Sequence, residues 1–410
     1  MAGDTWKRVR LGDFVTLQRG HDLPDERRRP GNVPILGSFG ITGWHDEPRA
    51  SGPGVTVGRS GASFGVVTYS ACDYWPLNTA LYVVDFHGND PRFAYYLLKG
   101  FDFQGYNSGS AQPSLNRNFI HPIPIDVPPL REQQAIAHIL GTLDDKIGLN
   151  RRMSETLEAT ALALFKSWFI DFDPVRAKKG RGPSLPRHVA ELFPNGFRDS
   201  ELGEIPDGWD LGQFKRTVEH LKEQEDPLAS PHVLFHHFSI PAFDEGKWPR
   251  AELGSEIKSL KFRVPPGVIL LSKLNPEIER VWLVDVMPSN RAVCSTEFLV
   301  LRPRPPYTAF YVYCFARSPL FRQQIEALVT GTSKSHQRAQ PEAILNLPVI
   351  LPPASVLSLF DKAVSNSLTR ILKAHRESHT LSSLRDALLP KLISGELRVK
   401  DAERFVGSAA

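Results

Sequence analysis

The chain has 410 residues, long enough for two or three domains with substantial cores. With 49 basic and 45 acidic residues its formal net charge is +4, a mild basic balance that does not by itself mark a nucleic-acid partner. No apolar run is long enough to cross a bilayer, and the opening MAGDTWKRVRLGDF has no leader-like apolar segment, so a cytoplasmic location is expected.

Residues 1–130 contain short apolar runs broken by Gly, Pro and Asn, as in VPILGSFGITGW, GVTVGRSGASFGVV and TALYVVDF. This punctuation predicts a β-rich first domain. Residues 131–169 lack proline and carry a stripe from Ile136, Leu140 and Leu143 to Leu164 and Trp168, at alternating spacings of three and four. The spacing predicts one helix of roughly 55–60 Å, a length suited to a spacer or coiled coil. A polar gap at Asn150 and Ser154 interrupts the stripe and either fixes register or faces solvent. The helical segment is expected to run over 131–175, with a linker over 176–206. Residues 207–353 return to strand-like runs (GVILLSKL, VWLVDVM, TEFLVLRP). A second helix is predicted over 357–389, within a helical segment and tail spanning 354–400; Leu357, Phe360, Val364, Ile371, Leu381 and Leu388 trace its apolar stripe.

The order β domain, helix, β domain, helix is a duplication. LGDF at 11–14 answers LGQF at 211–214, GVTVGRSG at 54 answers GVILLSKL at 267, and NTALYVV at 78 answers STEFLVL at 295. GSAQPSLNR at 109–117 answers GTSKSHQR at 331–338; the offsets of 200, 213, 217 and 222 drift slowly in one direction. The fold class is therefore α+β: two β-rich domains in a pseudo-twofold repeat, separated by two long antiparallel helices. Such an arrangement measures distance, and duplex DNA is the obvious ligand with features repeated at a fixed spacing.

NRRMSETLEATALALFKSWFIDFDPVRAKKG at 150–180 resembles the specificity subunit of type I restriction–modification systems. So do PLREQQAIAHILGTLDDKI at 129–147, LFPNGFRDSELGEIPDGW at 192–209 and LRDALLPKLISGELRV at 384–399. The resemblance implies two target-recognition domains, each reading half of an interrupted DNA sequence, with the helices setting the unspecified spacer. It also implies two methyltransferase (modification) subunits using S-adenosylmethionine, and restriction subunits using ATP and Mg²⁺. The chain itself would be non-catalytic and bind no cofactor. Consistently, it contains no NPPY/NPPF motif and no GxxxxGK[ST] loop. Cys72, Cys294 and Cys314 form no CxxC pair, and no metal site is expected. An adaptor that keeps the scaffold without reading DNA is the alternative.

Turns carrying amides and cations can approach phosphates and base edges. The DNA-binding candidates are Arg59 and Ser60 in GRSG, and Gln112, Asn116 and Arg117 in the first repeated passage. In the second half they are Lys273 and Asn275, with Lys334, His336 and Arg338. Surface ion pairs are the competing reading for Arg59 and Lys273, and solvent-facing loops that cap the long helices for the two repeated passages. Phe165, Trp168 and Phe169 either anchor a partner interface or close an internal core. Trp44 and Trp248 are expected to pack in the core or at its rim, His236 and His237 to be structural or groove-facing, and Asp144 and Asp145 to be acids on the helix surface.

Overall fold

The structure, a computed structural model, describes residues 6–61, 63–109, 113–178, 180, 186–286, 291–329 and 337–402. Among them no helix is long and apolar enough to cross a membrane. The chain divides into two units, Met1–Gly148 with Thr380–Ala410, and Leu149–His379. Gln112, Lys334 and His336 lie outside the described residues.

In the first unit an antiparallel sheet is ordered Thr16–Arg19, Ala80–Asp85, Gly54–Gly58, Val67–Ser70. The central strand GVTVG is buried along its whole length, which is why it reads as an unbroken apolar run. Helix Pro91–Lys99 begins where Asp90 accepts a hydrogen bond from the Phe93 amide at 2.8 Å and Pro91 fills the first turn. Its buried face, with Phe93, Ala94 and Leu97, joins the core under the sheet. Strand Lys7–Arg10 pairs with Pro124–Val127, and a smaller sheet is ordered Gly40–His45, Val33–Gly37, Trp75–Pro76. The early turns of helix Leu130–Phe169 share this core with the late turns of helix Ala354–Ile393, through Ile136, Leu140 and Leu143 against Leu381, Leu388 and Leu392. Asp144 accepts from Tyr96 Oη and from Arg385 Nη1, each at 2.6 Å, so it is a structural acid linking the two helices. Asp145 is held by Arg92.

The second long helix is longer than its apolar stripe predicts, running through Pro390 to Ile393. A proline in the last turn removes one amide donor, while Leu389 and Leu392 on the same turn are buried, so the helix continues past it. Gly395, at φ +73°, stops it.

The second unit repeats the plan. Its sheet is ordered Val218–Leu221, Phe298–Pro303, Ile269–Ser272, Val281–Leu283, followed in the chain by helix Ala309–Ala316, whose first turn is capped by Thr308. Asp210–Gln213 pairs with Pro348–Leu351 as Lys7–Arg10 pairs with Pro124–Val127. Leu234–Phe238 lies parallel to Ala292–Cys294, just as Val33–Gly37 lies parallel to Trp75–Pro76. Two further strands, Gln224–Glu225 and Lys261–Arg263, enlarge this second sheet. Both additions precede Gly267 and account for the first step of the drift, from 200 to 213.

Here the late turns of Leu130–Phe169 meet the early turns of Ala354–Ile393, the reverse of the first unit, so the helices run antiparallel in each. Asn150, 2% exposed, donates from Nδ2 to Glu377 Oε2 at 2.9 Å and approaches Ser378 Oγ at 3.4 Å. The polar gap therefore faces the partner helix rather than solvent. Phe165, Trp168 and Phe169 are 1%, 6% and 4% exposed and pack around Phe360 with Tyr311 and Trp209. These rings close the unit's own core, and a partner could reach them only by rearranging it.

Candidate nucleic-acid interface

In the first unit three chain segments meet where strand Gly54–Gly58 ends. The Arg59 amide donates to Thr79 O at 2.9 Å, the Leu115 amide to Arg59 O at 2.7 Å, and the Gly61 amide to Pro113 O at 3.3 Å. Ser60 and Ser114 form a bridge between the segments. This frame borders an open cleft of about 650 Å³ lined by Gln18, Arg19, His21, Arg59, Asn116 and Arg117, among others. The guanidinium contacts around it are long: Arg59 to Asn78 O, Arg117 to Leu17 O and Arg19 to Asp22 Oδ1 are each 3.4 Å. Most of their N–H donors thus remain available to a ligand. Asn116 accepts from the Asn118 amide at 3.0 Å and so starts the short helix Arg117–Ile120. Burial, followed by the charge of Arg49, holds the His21 imidazole below its usual pKa, with Asp22 opposing.

Gly58 sets the approach of these segments. A Cβ there would lie 2.2 Å from Ser63 O and 2.3 Å from Ser38 O, both backbone atoms. Gly58→Ala is expected to cost about 1–3 kcal/mol in urea unfolding and to displace Arg59.

The second unit repeats the frame bond for bond. The Lys273 amide donates to Glu297 O at 3.0 Å, the Ala339 amide to Lys273 O at 3.0 Å, and the Asn275 amide to Gln337 O at 2.8 Å. Lys273 therefore stands at the place of Arg59 and Asn275 at that of Gly61. Both of the latter have positive φ, 47° and 81°. Arg338 bridges Leu274 as Ser114 bridges Ser60. Leu221 lies opposite Val300 as Gln18 lies opposite Tyr82, which puts the next residue, Lys222, in the place of Arg19.

The same frame carries different charge chemistry. Lys222 Nζ meets Glu342 Oε1 at 3.1 Å, and Arg338 is forked by Glu297 at 2.9–3.2 Å. The corresponding first-unit positions of these acids hold neutral Asn118 and Thr79. His220 is held below its usual pKa by burial and then by Lys222 and Lys273, against Glu342.

Arg19, His21 and Lys222 lie outside the repeated passages, and the pairing of their neighbouring strands brings them to the frame. Trp44 is 54% exposed rather than packed, beside exposed Phe39 and Ile41. Its strand, Gly40–His45, is at the sheet margin, where alternate side chains have no covering layer. Trp248 stacks on His379 at 4.5 Å between ring centroids. His237 Nδ1 is 2.7 Å from Glu252 Oε2. Among the described residues no group of three or more metal-ligating side chains assembles.

The scaffold thus presents one backbone frame twice, with different side chains each time. The family profile "Type I restriction modification DNA specificity domain" matches residues 3–159. The MjaIX type I restriction enzyme specificity subunit of Methanocaldococcus jannaschii is 26% identical over 76% of this chain and 70% of its own length. The HindI specificity subunit of Haemophilus influenzae is 24% identical over 79% and 82%. The crystal structure of an S subunit from a type I system of M. genitalium superimposes with a TM-score of 0.56 at 14% identity, covering 96% of this chain and 97% of that one, and so shares the fold. The chain is thus homologous to specificity subunits of type I restriction–modification systems. That homology supports a role in directing sequence-specific DNA recognition within such a system.

Proposed function

We propose that each unit reads one half of an interrupted, two-part DNA target, and that the paired helices hold the unread spacer between the halves. The observation that carries this reading is the duplicated backbone frame with Arg59, Gly61, Ser114 in one copy and Lys273, Asn275, Arg338 in the other. Equal frames with unequal side chains suit two different half-sites. Around them, Ser60, Asn116 and Arg117 line the first contact surface, with Gln112 in the same passage. In the second half the sequence candidates Lys334 and His336 belong to the corresponding passage. Two modification subunits assemble on the chain in the cytoplasm and supply S-adenosylmethionine chemistry on an extruded adenine. Restriction subunits bring ATP and Mg²⁺.

The test is co-expression with the cognate methyltransferase subunit and mapping of modified bases across host DNA. Modification confined to one interrupted, two-part sequence, and lost when the chain is omitted, is the expected result. Assembly without chain-dependent modification would overturn it.

The two clefts should also differ in salt dependence. Binding that neutralises phosphates releases counterions, at close to one unit of log–log salt slope per phosphate contacted. Cations already paired with an acid release fewer. Arg19→Ala with Arg59→Ala and Arg117→Ala is expected to reduce the slope by about 2–3. Lys222→Ala with Lys273→Ala and Arg338→Ala should reduce it by less, as titrations of the assembled complex at several salt concentrations would show.

A further inference from the structure

The second unit's frame contains two charged pairs that the first lacks, and the geometry of one, Arg338–Glu297, restricts what it can face. The Glu297 carboxylate accepts from Arg338 Nε at 3.0 and 3.2 Å and from Nη2 at 2.9 Å. A guanidinium has five N–H donors. This side-on fork engages the Nε hydrogen and one on Nη2, leaving both hydrogens on Nη1 and the outer one on Nη2. One from each nitrogen makes an end-on pair of parallel donors, which matches the O6 and N7 acceptors on the major-groove edge of guanine.

Both residues are fixed through their backbones to the same turn. Arg338 bridges Leu274, Glu297 O accepts from the Lys273 amide at 3.0 Å, and the Glu297 amide reaches Ser295 Oγ at 3.3 Å. Glu297 is the less exposed partner, at 22% against 45% for the Arg338 side chain, so the acid is the support and the guanidinium the outer, ligand-facing group. Pairing also cancels net charge. The long-range pull on a phosphate is lost while the directed donors remain, which favours a base edge over the backbone.

We propose that Arg338, oriented by Glu297, reads one guanine in the half-site bound by the second unit, with Glu297 the specificity-determining positioning residue. This rests on the reading of one half-site per unit. Ser114 and Thr79 hold the two positions in the first unit, so no such guanine requirement arises there.

The assembled complex carrying Glu297→Gln, Glu297→Asp, Arg338→Lys or Arg338→Ala is co-expressed with its methyltransferase partner, and modified sites are mapped against wild type. Wild type is expected to require guanine at one position of one half-site. Glu297→Gln and Arg338→Ala should relax that position by roughly tenfold or more, leaving the other half-site and the spacer unchanged. Glu297→Asp retains the fork and should retain the requirement. Arg338→Lys keeps the charge without the fork and should lose it, which decides the matter if Glu297→Gln fails to assemble. A uniform fall in modification with an unchanged base profile would identify a phosphate contact and overturn the proposal. So would relaxation in both half-sites. If wild type itself shows no two-part target, the half-site reading fails first; a normal wild-type target with wild-type profiles in the variants sinks only the role of this pair.

Discussion

Arg317→Met is expected to destabilise the second unit by about 3–5 kcal/mol, because it strands a buried carboxylate. Arg317 caps the end of helix Ala309–Ala316 and its side chain is 12% exposed. It meets Glu158 of the first long helix, 20% exposed, and Glu279 at 2.6 Å. Tyr313 Oη donates to Glu158 and accepts from Arg317 Nη1 at 2.8 Å, so the three groups close one network. Removing only the cation leaves Glu158 with desolvation and too little compensation. Glu158→Gln with Arg317→Met removes both charges and should recover most of the loss. Urea unfolding with hydrogen exchange resolved over residues 149–379 would measure both.

The same node gives the pH dependence its sign. Burial raises the Glu158 pKa, but Arg317, then Lys247, and the hydrogen bonds from Arg317 and Tyr313 outweigh it and leave the carboxyl below its usual 4.5. A folded pKa below the unfolded one means stabilisation that is complete above the unfolded value and lost as pH falls through the folded value. His375 follows the same sign. Burial and then Lys247 hold its ring below 6.5, against Glu158 and Asp285, so the folded unit resists its protonation. Stability of the second unit should therefore fall from about pH 6.5 downward, first through His375 and then through Glu158. The cost of Arg317→Met should be largest near neutrality and shrink below about pH 4.5, where Glu158 is protonated in the unfolded chain and the pair contributes less.

The repeat was legible because its signals are local. Pro129 precedes a proline-free amphipathic run, and helix Leu130–Phe169 starts directly after it. Gly-punctuated apolar runs marked the central strands. The candidate contact surface was legible only in part, because such a surface is assembled by register and not by proximity in the chain. The passages at 109–117 and 331–338 each end in arginine, yet Arg117 starts a helix whose counterpart begins with Pro341. Arg338 instead answers Ser114, an offset of 224, while Arg59 and Lys273 differ by 214. Matching letters would have paired the wrong side chains; matching hydrogen bonds pairs the right backbone positions. Arg19 ends its strand and Lys222 follows strand Val218–Leu221, both far in the chain from the repeated passages, and the acids that neutralise Lys222 and Arg338 are 120 and 41 residues distant in sequence.

Phe169→Ala is expected to cost about 3–5 kcal/mol of second-unit stability. The ring is 4% exposed and lies 5.0 Å from Phe165, 5.1 Å from Phe360, 5.2 Å from Tyr311 and 6.0 Å from Trp209, centroid to centroid. Those neighbours come from both long helices, helix Ala309–Ala316 and the segment before strand Asp210–Gln213. A cavity bounded by four elements cannot close by shifting one of them, so the loss should sit at the upper end for an aromatic truncation. Phe169→Leu keeps most of the apolar volume and should lose roughly half as much or less. The comparison also separates the two roles open to this aromatic group. A core role predicts loss of unfolding free energy in the isolated chain, with methyltransferase assembly impaired only in proportion. An interface role predicts unchanged unfolding of the isolated chain and a specific fall in subunit affinity. Urea unfolding of the chain alone, set beside titration with the methyltransferase subunit, distinguishes them, and the packing around Phe360 places the expected loss in the first measurement.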